Sequence, residues 1–193
     1  PGSAVVALAI EHVWAIDLVN ALDKAGVELA FNFRVPAPIV DEAFASFRQA
    51  LAIRPNFADV HRDLSYLYQG LGMPDLALKE LNQAISLEPE NPESFLRLGR
   101  LHRQREDFDA AEDAYQSALR LRPTFPEAHY ELGLIYKRQG KTDRAVSEFK
   151  EASTTITAAT PETHINLGLA YRSQNRLADA ETEFSHALEL DPK

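Results

Sequence analysis

Apolar residues return along this chain every three or four positions, in blocks about a dozen residues long, with polar residues between them. Phe95, Leu98 and Leu101 with His102 form one such block, and Phe108, Ala111, Tyr115, Ala118 and Leu119 form the next. That spacing predicts amphipathic helices, because 3.6 residues per turn gathers positions three and four apart onto one face. Short turns marked by Gly72, Gly140 or Asn175 separate the blocks in pairs. Helix starts are signposted by Pro92-Glu93, Pro126-Glu127 and Pro161-Glu162. A proline in the first helical turn loses no hydrogen bond there, and the glutamate beside it meets the positive end of the helix dipole.

The blocks are near copies of one another. "LSYLYQGLG" (64–72), "LGRLHRQRE" (98–106), "LGLIYKRQG" (132–140) and "LGLAYRSQN" (167–175) recur at a spacing of 34 residues, and of 35 before the last. The register extends beyond these stretches. Ala77, Ala111, Ala145 and Ala180 recur, as do Ala84, Ala118, Ala152 and Ala187, with Leu81, Tyr115, Phe149 and Phe184 between them. Pro55, Pro89, Pro123 and Pro192 close units. The full units run 58–91, 92–125, 126–160 and 161–193, and residues 38–57 supply the second helix of a degenerate one. Gly99, Gly133 and Gly168 sit in mid-helix, where glycine costs about 1 kcal/mol against alanine. The alanines of the second helix are expected to pack on them, with the large residue filling the gap to the next unit. One such hairpin cannot bury its own apolar faces, whereas a stack can.

These residues resemble the tetratricopeptide repeat family. The likeness is carried by Leu98-Gly99, His102, Ala111, Tyr115, Ala118 and Pro123; by Leu132-Gly133, Tyr136, Ala145, Phe149 and Ala152; and by Leu167-Gly168, Tyr171, Ala180, Phe184, Ala187 and Pro192. Unit 58–91 fits with Ser65 in the glycine slot. The resemblance implies an all-α fold, a right-handed superhelical solenoid of antiparallel helix pairs. It would hold about four full repeats, in an array over 38–193, after an atypical amino-terminal repeat. Two stretches depart from the pattern. "EASTTITAATPE" (151–162) lacks the closing proline and carries Thr154, Thr155, Thr157 and Thr160, poor helix formers, so a frayed helix end or a small change in superhelical pitch is expected there. Residues 1–37 predict a long apolar helix over 4–26, stopped at Gly26, and an irregular connector bounded by Pro36 and Pro38.

Composition narrows the function more than the fold. The chain is 193 residues long, 45 % hydrophobic and 25 % charged, with a formal net charge of −9. A negative surface argues against nucleic acid and anionic membranes as partners. Cysteine is absent, which removes disulfides and thiolate chemistry. The apolar run Ala4–Ile10 is too short to span a bilayer, so no membrane insertion is expected. The expected compartment is the cytoplasm, with a periplasmic or membrane-tethered parent protein as the alternative. Because Leu188 and Leu190 lie on a last helix followed by no polar cap, the chain reads as a fragment of a longer protein or an array that stacks on a neighbour.

Catalytic chemistry has no constellation here. "GKT" (140–142) lacks the earlier glycine of a phosphate loop, since Ile135 stands in that place, and "GLGMPD" (70–75) is a fragment inside a turn. His61, His129 and His164 share one slot in three units, too far apart for one metal ion, and are read as packing histidines. The expectation is a chain that is not an enzyme, with no catalytic residue, no cofactor and no metal.

In the family that the chain resembles, first helices line a concave face where ligands bind. The residues placed there are Arg62 and Tyr66; Leu96, Arg97, Arg100 and Arg103; Tyr130, Leu134, Lys137 and Arg138; and Ile165, Asn166, Leu169 and Arg172. They form a basic ridge beside apolar patches, which predicts a protein or peptide partner with acidic and apolar residues. The competing reading has these arginines paired with Glu93, Glu127 and Glu131 on a solvated face. A second candidate surface, for a partner or for homo-oligomer formation, is the apolar amino-terminal helix with Val6, Ile10, Val13 and Trp14. A third reading makes the array the regulatory or targeting arm of a larger enzyme.

Overall fold

The computed structural model describes residues 37–154 and 160–191, with side chains from Ala43 onward. Val6, Ile10, Val13 and Trp14, and the helix expected over 4–26, lie outside the described residues. The fold class is an all-α helical-repeat solenoid. Among the described residues there are nine helices: α1 Ala37–Ile53, α2 Ala58–Gly70, α3 Pro74–Leu87, α4 Pro92–Gln104, α5 Phe108–Leu121, α6 Pro126–Arg138, α7 Thr142–Ser153, α8 Pro161–Ser173 and α9 Leu177–Leu190. They fall into two compact units that divide between Glu90 and Asn91. In the first, α2 packs against both α1 and α3. In the second, α4 pairs with α5, α6 with α7 and α8 with α9, while α5 touches α6 and α7 touches α8.

Local chemistry sets these boundaries. Proline occupies the first turn of α3, α4, α6 and α8. The side chain of Asn91 accepts a hydrogen bond from the Glu93 amide, Asp107 from the Ala110 amide and Thr160 from the Thr163 amide, each satisfying a donor the helix start leaves open. Every hairpin turn reverses through one residue in the left-handed region: Gly72 at φ 70°, Glu106 at φ 60°, Gly140 at φ 72° and Asn175 at φ 60°. The amide after each of them bonds back to a carbonyl of the preceding helix, at 2.9 Å from Met73 to Tyr68 and 2.9 Å from Lys141 to Tyr136. Glu106 therefore holds a conformation that its hairpin shares with two glycines and an asparagine. Helix α7 is 12 residues long where α3, α5 and α9 have 14. It stops at Ser153 as the threonines begin, so this helix end is the shortened one.

The core of the second unit gathers Leu96, Ala111, Tyr115, Ala118, Leu132, Ile135, Phe149 and Leu167, all buried. The first unit has its own, around Ala43, Phe47, Val60, Leu64 and Leu67. The mid-helix glycines have a different neighbour from the one expected. A Cβ added at Gly133 would lie 2.5 Å from the Phe149 ring, and one at Gly168 would lie 2.6 Å from the Phe184 ring; at Gly99 it would meet Tyr115. The aromatic ring, and not an alanine, lies closest over each glycine, within the same hairpin. The remaining hairpin, α2–α3, makes the reciprocal choice. Ser65, 2 % exposed, replaces the glycine, and Leu81, fully buried, replaces the ring. A larger residue on the first helix thus goes with a smaller one on the second, as a close-packed seam requires.

Candidate partner-binding face

Helices α4, α6 and α8 carry most of the predicted face, all within the second unit. Its centre is an anion. Glu131 on α6 is 5 % exposed. The Nε of Arg100 lies 2.8 Å from its Oε1, the Nε of Arg103 lies 3.1 Å from its Oε2, and the Tyr115 hydroxyl donates to Oε2 at 3.4 Å. A carboxylate this buried persists only when paired. Burial would lower the pKa of Arg100, but the charge and hydrogen bond of Glu131 outweigh it, and the guanidinium ends above its ordinary value. Burial first, and then Glu131, pushes the Tyr115 phenol well up, so it stays a donor. Arg97 pairs with Glu93 at 3.4 Å. Two arginines of the predicted ridge are therefore turned onto one internal glutamate.

The face continues through polar contacts between α6 and α8. Lys137 donates to the Asn166 side-chain oxygen at 2.8 Å, and the Asn166 amide donates to the Tyr130 hydroxyl at 3.1 Å. Burial, then the charges of Glu131 and Glu162, raises the pKa of Tyr130. Two clefts open along the face. One, of about 340 Å³, is lined by Arg100, Tyr130, Glu127, Glu131, Glu162 and Thr163, and carries three acids against one base. The other, of about 460 Å³, is lined by Arg103, Lys137, Arg138, Glu106, Phe108 and Leu134, and carries three bases against one acid. Arg138 stacks over the Phe108 ring at 4.9 Å and reaches Glu106 at 3.2 Å, with 63 % of its side chain exposed. The basic character is thus concentrated at the α4–α6 end rather than spread as a continuous ridge.

The other predicted residues separate by burial. Leu96 is expected from the sequence to line the face; at 2 % exposed it belongs to the core instead, closed over by its neighbours in the apolar cluster. Leu134 and Leu169 are half-buried, while Ile165, at 43 %, and Arg172 are exposed. In the first unit Arg62 is 9 % exposed and bound to Asp59 and, at 2.8 Å, to Glu88; Tyr66 is half-buried.

Sequence reasoning missed a repeated ion pair. The Nδ1 of His61, His129 and His164 lies 2.7 Å from Oε2 of Glu80, Glu148 and Glu183 respectively. The signal was available, since each glutamate follows its histidine by 19 residues. Where Phe95 replaces the histidine, Ala114 replaces the glutamate. The Nε2 of His129 also faces the Pro123 carbonyl at 3.0 Å, so both ring nitrogens meet acceptors. Burial lowers its pKa, but the hydrogen bonds of Glu148 and Pro123 prevail and raise it.

Likeness to known proteins now has a structural basis. Tetratricopeptide repeat family models match residues 40–94 and 161–193, and a TPR repeat model matches 99–140, together more than half of the chain. The chain belongs to the tetratricopeptide repeat family. Among solved structures of similar proteins, MamA is 27 % identical, with 79 % of this chain and 89 % of that one covered and a TM-score of 0.70. The thermophilic TPR protein TTC0263 of Thermus thermophilus is 25 % identical over 80 % and 84 %, with a TM-score of 0.62. PilF of Pseudomonas aeruginosa, 19 % identical over 88 % and 78 % with a TM-score of 0.71, shares the fold. No curated protein matches the chain. Tetratricopeptide repeats serve as protein–protein interaction scaffolds, and this TPR chain is accordingly an interaction module. No helix among the described residues is long and apolar enough to cross a membrane.

Proposed function

We propose that the chain is a non-catalytic scaffold that takes an acidic and partly apolar segment of a partner protein on its first-helix face, at the cleft between the ends of α4 and α6. The observation that carries this reading is the make-up of that cleft, where Arg103, Lys137 and Arg138 stand beside Leu134 and Phe108. Exposed guanidinium and ammonium groups attract and orient carboxylates, and the apolar neighbours gain by covering a Leu or Phe side chain. Arg103 is held by Glu131, so it shapes the cleft wall, while Lys137 and Arg138 present charge outward.

Peptide display against the folded chain tests this reading. Selected peptides should be rich in Asp or Glu next to Leu or Phe, and Lys137→Glu with Arg138→Glu should abolish their binding while leaving the melting curve in place. Peptides without acidic enrichment, or binding that survives the reversal, would move the site off this cleft.

A further inference from the structure

The three His–Glu pairs are built alike, but the last has an additional neighbour. Three residues beyond the glutamate, the chain has Gln83 after Glu80, Glu151 after Glu148 and His186 after Glu183. Residues three apart share a helix face, so Glu183 and His186 of α9 point the same way, toward His164 of α8. The Nδ1 of His164 lies 2.7 Å from Glu183 Oε2, and the Nδ1 of His186 lies 3.8 Å from the same oxygen. One ligand atom from each residue lies within 4.8 Å of the other two. The two rings meet edge to face with centroids 5.3 Å apart. His164 and Glu183 are largely buried, whereas about half of the His186 side chain is exposed, so the cluster has a fixed floor and one accessible arm.

We propose that His164, Glu183 and His186 form a binding site for a single divalent transition-metal ion of the zinc class. Two imidazoles and one carboxylate suit zinc and its first-row neighbours, and disfavour magnesium and calcium, which take oxygen ligands. Tetrahedral zinc places its ligand atoms roughly 3.3 Å apart, given bonds of about 2.0–2.2 Å. The 2.7 Å contact between His164 and Glu183 has to open slightly, and the 3.8 Å contact has to close, the latter by rotation of the exposed His186 side chain. Such an ion binds imidazole and carboxylate in their deprotonated forms, so binding weakens in acid. Three protein ligands leave the fourth position to water. Among the described residues neither of the other two pairs gathers a third ligand atom as closely, although Glu151 stands one turn from Glu148, so His61–Glu80 and His129–Glu148 serve as controls within the same chain.

The untagged 193-residue chain, stripped with chelator, is titrated with Zn²⁺ by calorimetry, and with Co²⁺ while the visible absorption is followed. One ion per chain is expected, with a cobalt band typical of four-coordinate nitrogen and oxygen ligation. His186→Ala should weaken binding by about 100-fold or more, since loss of even an outer-sphere contact costs 10- to 100-fold. His129→Gln should leave binding unchanged. His186 is exposed, so its variant keeps the fold; Glu183→Gln, checked by its melting curve, gives the second reading. Absence of a stoichiometric ion, equal binding by His186→Ala, or equal loss on His129→Gln would each overturn the site.

Discussion

Two neighbouring hairpins of the second unit solve one packing problem with opposite chemistry. In α4–α5 the slot on the first helix holds Phe95, packed against the core, and its counterpart on the second helix is the buried Ala114. In α6–α7 the same slots hold His129 and Glu148, joined at 2.7 Å. One hairpin closes the seam with an aromatic ring and a methyl group, the other with a charged hydrogen bond. The glycine–ring pair beneath hardly changes, with Gly99 under Tyr115 in one and Gly133 under Phe149 in the other. A repeat therefore fixes the volume of its innermost layer and leaves the outer seam open to either solution, provided that both partners change together.

The largest test of this comparison breaks the invariant layer. Phe149→Ala should cost about 3–5 kcal/mol in denaturant unfolding, because the ring is fully buried and its removal leaves a cavity over Gly133. Gly133→Ser alone should also destabilise, with its Cβ driven against that ring. The double variant Gly133→Ser with Phe149→Leu copies Ser65–Leu81 of the α2–α3 hairpin. Its loss should fall below the sum for Gly133→Ser and Phe149→Leu measured singly by about 1 kcal/mol or more, the coupling expected of residues in contact. Additive losses would show that the two slots do not trade volume.

Next in size is the buried anion. Replacing Glu131 with alanine strands Arg100 and Arg103 and leaves the Tyr115 hydroxyl without its acceptor. Breaking a fully buried pair costs about 3–5 kcal/mol, and since both arginines are more than one-third exposed, about 2 kcal/mol is expected here. A melt unchanged by Glu131→Ala would mean that solvent replaces the carboxylate at no cost.

Much of this was legible in the sequence. Alanine, aromatic and glycine slots at a constant spacing located the helix pairs, because a stacked hairpin imposes the same steric demand each time. Glu131 was named as an arginine partner, but its burial was not visible. Whether an inward position faces solvent depends on how far neighbouring helices close over it. The slot of Leu96 shows this within one unit: Leu96 is 2 % exposed, Tyr130 half-buried and Ile165 43 % exposed. Helical periodicity gives an angle around one helix and carries no information about the depth of the groove. The turn at Glu106 carries neither glycine nor asparagine, the residues that favour the left-handed region, so the repeat register alone marks the position.

The ionic seam makes a smaller, pH-dependent difference between the two hairpins. His129 has a raised pKa in the folded chain: burial works against this, and the Glu148 and Pro123 hydrogen bonds overcome it. Its stabilising contribution is therefore complete below the unfolded value, about 6.5, and fades as the pH rises through the raised folded value. Writing the apolar solution into α6–α7, with His129→Phe and Glu148→Ala, should remove that fading. Melts at pH 6 and pH 9 should show the wild type losing up to about 1 kcal/mol more than the double variant across this interval. Parallel pH profiles would leave the seam without an electrostatic role.

The smallest stability effect separates the two ends of the proposed binding face. Lys137 and Arg138 are exposed, and their contacts, to Asn166 at 2.8 Å and to Glu106 at 3.2 Å, lie at the surface. Reversing both to glutamate should cost at most about 1 kcal/mol, the range of exposed pairs, and should abolish capture of acidic peptides. Reversing Arg100 and Arg103 instead sets two new carboxylates against Glu131 and should cost considerably more, so any loss of binding there would be mixed with loss of structure. The outward pair thus reads recognition nearly free of folding, and the inward pair reads folding. If the outward reversal melts like the wild type and still captures the same peptides, the positive charge at the α4–α6 cleft has no part in recognition, and the arginines around Glu131 are structural throughout.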